Sequence, residues 1–447
     1  QEALIHEDDL ARTLTERDCP YSDLAFPATP ESLYRTPQQP PAGSMPPTLA
    51  IWARVSAQDI RRCHSPVTFP EDGPLSAVRQ GALDDSWLVS ALNILLPFKV
   101  LLKSVVVSER HRNKGEGLYT LKLFKEGSWR YLHVDDRLPC WPLRDPYYCS
   151  CKDSNQARRR KPIWAPLIEK AFAKLHGCYE SLGRGSIEQG LRCLSGAPVL
   201  STSLLERPLS RSGSPRPSAG DETVTDRIQR RRVELWMRLR SWQDRGCAMG
   251  CCRSVDHDRA RICEANAESR ETAPQGSYRA GRRPLVGLMA GRGYGIRCVR
   301  QVSAAVTATR DAVSFKLVEV SCPWDMGCWR GAWSPESDLW WRYPSINAEL
   351  RPKVEVPGYP ASSSRGAARS SLLDEAAGGR GGGTFWMSIE DFTIEFSQAR
   401  SEVFICVSHS PTQESRGVSR KSYKGWWVPG DQATGSGGGC TSPTFLQ

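Results

Sequence analysis

Nowhere in its 447 residues does the sequence hold an unbroken apolar run of the roughly 20 residues that a bilayer crossing requires. Trp87 to Val107 comes nearest, and Asn93, Pro97, Lys99 and Lys103 interrupt it. No transmembrane segment and no secretory leader are therefore expected. There is no CxxC matched by a second CxxC or by an HxxxH, which excludes the common zinc frameworks, and the 16 cysteines are too few for a disulfide scaffold at this length. Reduced thiols in a cytoplasmic protein are the expectation. The grouping Cys247, Cys251, Cys252 lacks a fourth ligand at a suitable spacing, and the pair Cys149 and Cys151 is weaker still, so no soft metal is assigned. Basic residues exceed acidic ones only by 60 to 49, and the clusters Arg158–Lys161, Arg230–Arg232 and Arg282–Arg283 lack interleaved aromatics. That pattern argues against a nucleic-acid partner. No internal repeat is found.

What is present is ample material for a core. Hydrophobic residues make up 39% and charged ones 24%, with 15 tryptophans, which suits two compact domains rather than one small module. The first 60 residues carry Pro27, Pro30, Pro37, Pro40, Pro41, Pro46 and Pro47 and are expected to be an extended lead-in. Behind Asp84 and Asp85, the apolar positions Trp87, Leu88, Ala91, Leu92 and Leu95 predict a buried helix from near Ser86. Tyr119 to His133 alternates about a Lys125-Glu126-Gly127-Ser128 turn and predicts a hairpin. Trp164, Leu167, Ile168, Ala171, Phe172 and Leu175 form one stripe, with Pro166 in the first turn and Gly177 at the end, predicting a second helix. A Ser/Pro/Arg-rich linker spans 207–222, with low-hydrophobicity insertions at 253–283 and 362–383. Between them are expected a helix carrying Trp236 and Trp242, and strands at Gly295 to Val302 and Phe315 to Val320.

The run Gln80-Gly81-Ala82-Leu83-Asp84-Asp85-Ser86-Trp87-Leu88 resembles the nucleophile segment of the calpains, Q-G-x-L-G-D-C-W-[LF]. Further segments resemble the same family in the same order. Phe26 to Tyr34 is similar to F-P-A-x-x-x-S-L-Y, Val134 to Pro139 to V-D-D-R-L-P, and Trp164 to Glu180 to the W-x-x-L-[IL]-E-K-A segment that ends in Y-E. Gly246 to Cys251 resembles G-S-L-M-G-C, Trp329 to Ser334 resembles W-x-G-x-W-S, and Phe385 to Phe392 resembles F-W-M-S-[FI]-x-D-F. The resemblance implies an α/β, papain-like, two-lobed protease core followed by the start of a β-sandwich. Its implied divisions are a lead-in at 1–25, a first lobe at 26–205, a second at 206–400 and the sandwich start at 401–447.

The same resemblance places the family's Cys, His and Asn triad at Ser86, Arg292 and Cys322, in Gly291-Arg292-Gly293-Tyr294 and Ser321-Cys322-Pro323-Trp324. Gln80 matches the glutamine of the oxyanion hole, and Gly246, Gly250 and Trp324 match cleft-lining text. All three triad positions are changed. A helix N-terminus can bring a thiol into its working range, but a serine hydroxyl needs a base, and a guanidinium stays protonated to about pH 12. Losing one member of such a unit typically removes about 10^6 in turnover, or roughly 8 kcal/mol of barrier. His257, in the basic insertion, is a weaker alternative base, and Cys322 beside Arg292 an alternative thiolate. Calcium is implied by the family, with Glu180 and Asp72 as remaining ligand candidates, while Cys328, Pro335, Gly382 and Thr384 replace acidic residues of the second half. The reading is a proteolytically inactive calpain-like protein that binds a peptide or protein partner in its cleft. A calcium-dependent cysteine endopeptidase and a structural scaffold stay as alternatives.

Overall fold

The computed structural model describes residues 2–17, 19–55, 65–70, 75–108, 117–142, 147–151, 160–203, 224–253, 287–289, 291–305, 312–322, 329–351, 383–396 and 402–406. These belong to one compact unit, Gln1–Pro411. The linker at 207–222, nearly all of the two insertions, Asp72, His257, Trp324 and everything after 406 lie outside the described residues.

The first lobe is mainly helical. Its longer helices are α1 (Glu2–Arg17), α2 (Ser86–Leu95), α3 (Trp164–His176) and α4 (Ile187–Ser195), and its long hairpin is β1 (Leu118–Lys125) with β2 (Ser128–Asp135). The hairpin turns where the alternation predicts: Lys125 faces Ser128, and Glu126 and Gly127 take φ of 52° and 80°. Two positive φ values in a two-residue loop give the turn whose twist matches the strands it joins. Helix α3 starts at Trp164, carries Pro166 in its first turn and stops at Gly177, whose φ is 99°. In contrast, α1 occupies text expected to be extended. No proline precedes Pro20, so the proline-rich character of residues 20–47 does not reach back over Glu2–Arg17.

Two buried charges join α3 to the V-D-D-R-L-P segment. Lys170, 1% exposed, donates to the Asp135 carboxylate at 2.5 Å and to Arg137 O at 2.6 Å. Next to it, Asp136 accepts from Arg54 Nη1 at 2.6 Å. Pairing of this kind is what allows ammonium and carboxylate groups to stay inside a core.

The second lobe is built on a six-stranded antiparallel sheet. Its strands are β3 (Val199–Ser203), β4 (Ala248–Cys252), β5 (Gly293–Ala305), β6 (Ala312–Ser321), β7 (Thr384–Ser388) and β8 (Glu402–Cys406), in the order β3-β8-β4-β5-β6-β7. Helices α5 (Val224–Asp244) and α6 (Ile389–Phe396) pack against it. Strand β8 sits inside the sheet, hydrogen-bonded to both β3 and β4. Divisions drawn at 205 and 400 therefore cut through this sheet, which takes in both 199–203 and 402–406. Local composition marks linkers, but it cannot reveal which distant strand will pair with which.

Helix α2 joins the halves. Nine of its ten residues are buried, so it is covered on every face. Glycines let the sheet approach it. A Cβ at Gly250 of β4 would fall 2.3 Å from Ile94 Cδ1, and one at Gly293 of β5 would fall 2.6 Å from Ser90 Cβ. One continuous hydrophobic cluster thus runs from Phe26 through α2 to Phe396, and a second, smaller one gathers around Trp333 and Trp340.

Candidate active site

Ser86 is the first residue of α2 and is half-buried. Its carbonyl accepts from Ser90 Oγ at 2.6 Å, and Ser90 Oγ in turn accepts from Gly293 N at 3.2 Å. That link fixes the start of β5 against the start of α2, so the 206 positions between Ser86 and Arg292 collapse to one neighbourhood. Arg292, just before β5, then reaches Gln80: Nη1 donates to Oε1 at 2.6 Å. Gln80 is held from the other side as well, because its Nε2 donates to Leu83 O at 2.6 Å.

The segment carrying Arg292 is braced from behind. Gly291 N donates to Arg253 O at 2.7 Å, and Arg253 N to Arg292 O at 3.4 Å. The Arg253 side chain is buried and pairs with Glu395 of α6, Nη2 to Oε2 at 3.2 Å, while its Nη1 donates to Leu288 O at 3.1 Å. Cys322 follows β6, 1% exposed, with its backbone N–H donating to Gly383 O at 2.8 Å. Its thiol lies close enough to Tyr294 to add to the effect of burial in pushing that phenol up.

Three of the four predicted positions, Ser86, Gln80 and Arg292, are therefore gathered at the start of α2, and Cys322 sits behind them beside Tyr294. The expected cleft glycines have other contacts. Gly246, at φ 69°, turns the chain from α5 into β4, and Gly250 makes room for Ile94. Trp324 is outside the described residues.

A feature that motif reading missed lies directly beneath. Asp85, the residue that precedes α2, is fully buried, and neither of its carboxyl oxygens receives a well-formed hydrogen bond from an N–H or O–H group of the described residues. Its neighbour is the carboxyl of Glu169, also fully buried, whose two oxygens each accept from Cys149 N at 3.1 Å. Burial raises the Asp85 carboxyl to about 6, although contact with Glu169 and the charge of Arg292 pull it down. Burial, and after it Asp85, raise Glu169 well above the usual carboxylate range. Two buried carboxylates side by side repel when both are ionised, so burial favours keeping a proton on the pair. The available signal was a glutamate set within the apolar stripe of α3.

Among the described residues, no histidine stands beside Ser86. The three described histidines are elsewhere: His6 and His133 contact each other at 3.0 Å, and His176 contacts Phe172 O. At the base position stands a guanidinium, which has donors only. What remains is a hydroxyl at a helix N-terminus, an amide and a fixed positive charge.

The calpain family cysteine protease profile matches residues 21–357, three quarters of the chain. The chain belongs to the calpain family. Calpain-10 of Rattus norvegicus is 25% identical over 432 residues, covering 94% of this chain and 51% of that protein. Calpain-8 of Homo sapiens is 25% identical over 425 residues, covering 94% and 47%. The calpain-type cysteine protease DEK1 of Zea mays is 25% identical over 410 residues, covering 91% of this chain and 14% of its own length. The chain thus spans about half the length of the two animal relatives and a seventh of the plant one. Its α/β architecture is that of the calpain protease core. Among the described residues, no helix is long and apolar enough to cross a membrane.

Calcium, which the family implies, finds a poor donor set here. Glu180 survives, but its Oε2 accepts from Arg35 N at 2.8 Å, and Asp72 lies outside the described residues. In the second half, Pro335 and Thr384 offer no carboxylate. No group of three or more potential side-chain ligands occurs among the described residues, whereas a hard cation takes six to eight oxygens. The described side chains do not fit the ion.

Proposed function

We propose that this chain is a calpain-like pseudoprotease, a protease-core scaffold that binds an extended peptide or a protein partner and does not hydrolyse it. The observation that carries the reading is Arg292: the group at the base position is a permanent cation whose guanidinium is bound to Gln80, the oxyanion-hole position. A serine hydroxyl without a base is a poor nucleophile, and the amide that would stabilise a tetrahedral oxyanion is already held by Arg292 and Leu83. Binding in the cleft asks for less, because main-chain hydrogen bonds and pockets suffice. A cytoplasmic setting and a further β-sandwich after 406 are part of the same proposal. They rest on the cysteine pattern and on the resemblance of Tyr423 to Cys440 to the opening of that domain.

The test is turnover of unstructured peptide substrates by the purified protein with and without millimolar calcium. No hydrolysis above background is expected, and Ser86→Ala should change nothing. Calcium-dependent cleavage that Ser86→Ala abolishes would overturn the reading and favour the endopeptidase alternative. Ser86→Cys alone is expected to remain inactive, because the new thiol still lacks its imidazole. The triple variant Ser86→Cys, Arg292→His, Cys322→Asn is expected to show measurable hydrolysis that iodoacetamide blocks.

A further inference from the structure

Helix α1 docks on the first-lobe sheet through a chain of hydrogen bonds whose directions can be worked out one after another. Glu7, fully buried, accepts from Ser108 Oγ at 2.5 Å on one oxygen and from Thr120 Oγ1 at 2.7 Å on the other. Thr120 has a single hydroxyl proton, and it is given to Glu7. Its 2.9 Å contact with His133 Nδ1 therefore runs the other way, with Nδ1–H donating. Since Nδ1 carries the proton, neutral His133 presents a lone pair at Nε2. The 3.0 Å contact with His6 is then His6 Nδ1–H donating into that lone pair. The rings lie 5.0 Å apart. Proton by proton, the chain reads His6 to His133 to Thr120 to Glu7.

This polar chain carries much of the grip. Ala11 is the one buried apolar residue among the described side chains of α1, and Ile5 is 56% exposed. A proton added to His133 Nε2 removes the acceptor that His6 needs and sets two N–H groups face to face. A proton added to His6 instead leaves the contact intact, since Nδ1–H still donates.

We propose that α1 is an acid-released strap, held to the β1–β2 hairpin at neutral pH and let go when His133 is protonated at Nε2.

The charged groups around His133 come from three elements. His6 and Glu7 face it from α1. Lys174 of α3 donates to His133 O at 2.7 Å, and Asp23, in the segment after α1, accepts from Lys174 at 2.7 Å. Glu7 and Asp23 favour the imidazolium, while His6 and Lys174 oppose it. Burial outweighs all four and holds the His133 imidazole below its ordinary value. Docking therefore favours the neutral ring. Its contribution is complete above the ordinary histidine range, near pH 6.5, and is lost progressively as pH falls from there through the lower value of the docked ring.

Hydrogen–deuterium exchange of the full chain at pH 7.5 and pH 5.0, corrected for intrinsic exchange rates, separates the outcomes. Protection of the Glu2–Arg17 amides is expected to fall about tenfold, the factor that corresponds to about 1.4 kcal/mol of docking free energy, while α2 amides stay protected. In His133→Gln, which cannot be protonated, the pH effect on α1 should vanish. His6→Ala, at an exposed position that does not threaten folding, should lower α1 protection already at pH 7.5 and flatten its pH dependence. Unchanged α1 protection in the parent chain would overturn the proposal. So would loss in step with α2, or an undiminished pH effect in either variant.

Discussion

At the scale of single residues, the proton beneath α2 has the clearest thermodynamic consequence. Asp85 ordinarily ionises near 3.8, but in the folded chain its carboxyl is driven by burial to about 6, and Glu169 is driven up from 4.5. The folded state therefore holds more protons than the unfolded chain from about pH 4 through about pH 6 on account of Asp85, and to higher pH on account of Glu169, so stability falls as pH rises through that window. In Asp85→Asn the side-chain amide brings its own N–H to the Glu169 carboxylate, and no proton need be shared. Urea unfolding from pH 4 to pH 8 is expected to show the variant gaining on the parent as pH rises, by about 2 kcal/mol at the alkaline end. A variant-minus-parent difference that stays level across the series would rule out the shared proton. The residues responsible were visible in the sequence as acids inside apolar text. Their pairing was not, because nothing local says that position 85 and position 169 meet.

At the scale of elements, legibility follows the range of the forces involved. The β1–β2 turn is set by Glu126 and Gly127, and the bounds of α3 by Pro166 and Gly177, all within a few residues of what they determine, so periodicity and turn chemistry predict them. Helix α1 is different. Its mean hydropathy is low, and what fixes it is Glu7 in contact with Ser108 and Thr120, more than 100 positions away. Strand β8 was likewise invisible as part of the protease sheet, since its partners are β3 and β4. At the candidate site, family motifs anticipated that Ser86, Gln80 and Arg292 would converge, but they say nothing about a guanidinium that the family does not carry there. The small residues lining α2 have an element-level consequence of their own. Gly293 is one of them, and a Cβ there would meet Ile187 Cδ1 at 2.5 Å as well as Ser90. Gly293→Ala is expected to cost about 1–3 kcal/mol through overpacking and to weaken the Gly293 N to Ser90 Oγ bond. Thermal unfolding measures the first effect. A melting temperature equal to that of the parent would mean that α2 and β5 are less tightly apposed than the structure has them.

At the scale of the whole molecule, a buried ion pair in the second lobe braces the segment that carries Arg292. Arg253 follows β4, and Glu395 belongs to α6, 142 positions later. The Arg253 main chain holds Gly291 and Arg292 by two hydrogen bonds while Glu395 anchors its side chain, so the placement of Arg292 against Gln80 depends on packing around that ion pair. Removing Glu395 takes away a carboxylate paired with a guanidinium that is 1% exposed. Glu395→Ala is accordingly expected to destabilise the chain by about 3–5 kcal/mol. Replacing both partners, as in Arg253→Met with Glu395→Leu, should recover part of that loss, because two apolar side chains of similar volume remove the desolvation penalty of the pair. Recovery should be incomplete, since Leu288 O then loses the donor it has in Arg253 Nη1. Urea midpoints of the parent, the single and the double variant decide the matter: a double variant less stable than Glu395→Ala would show that Arg253 holds the Arg292 segment chiefly through Leu288, with Glu395 as a bystander.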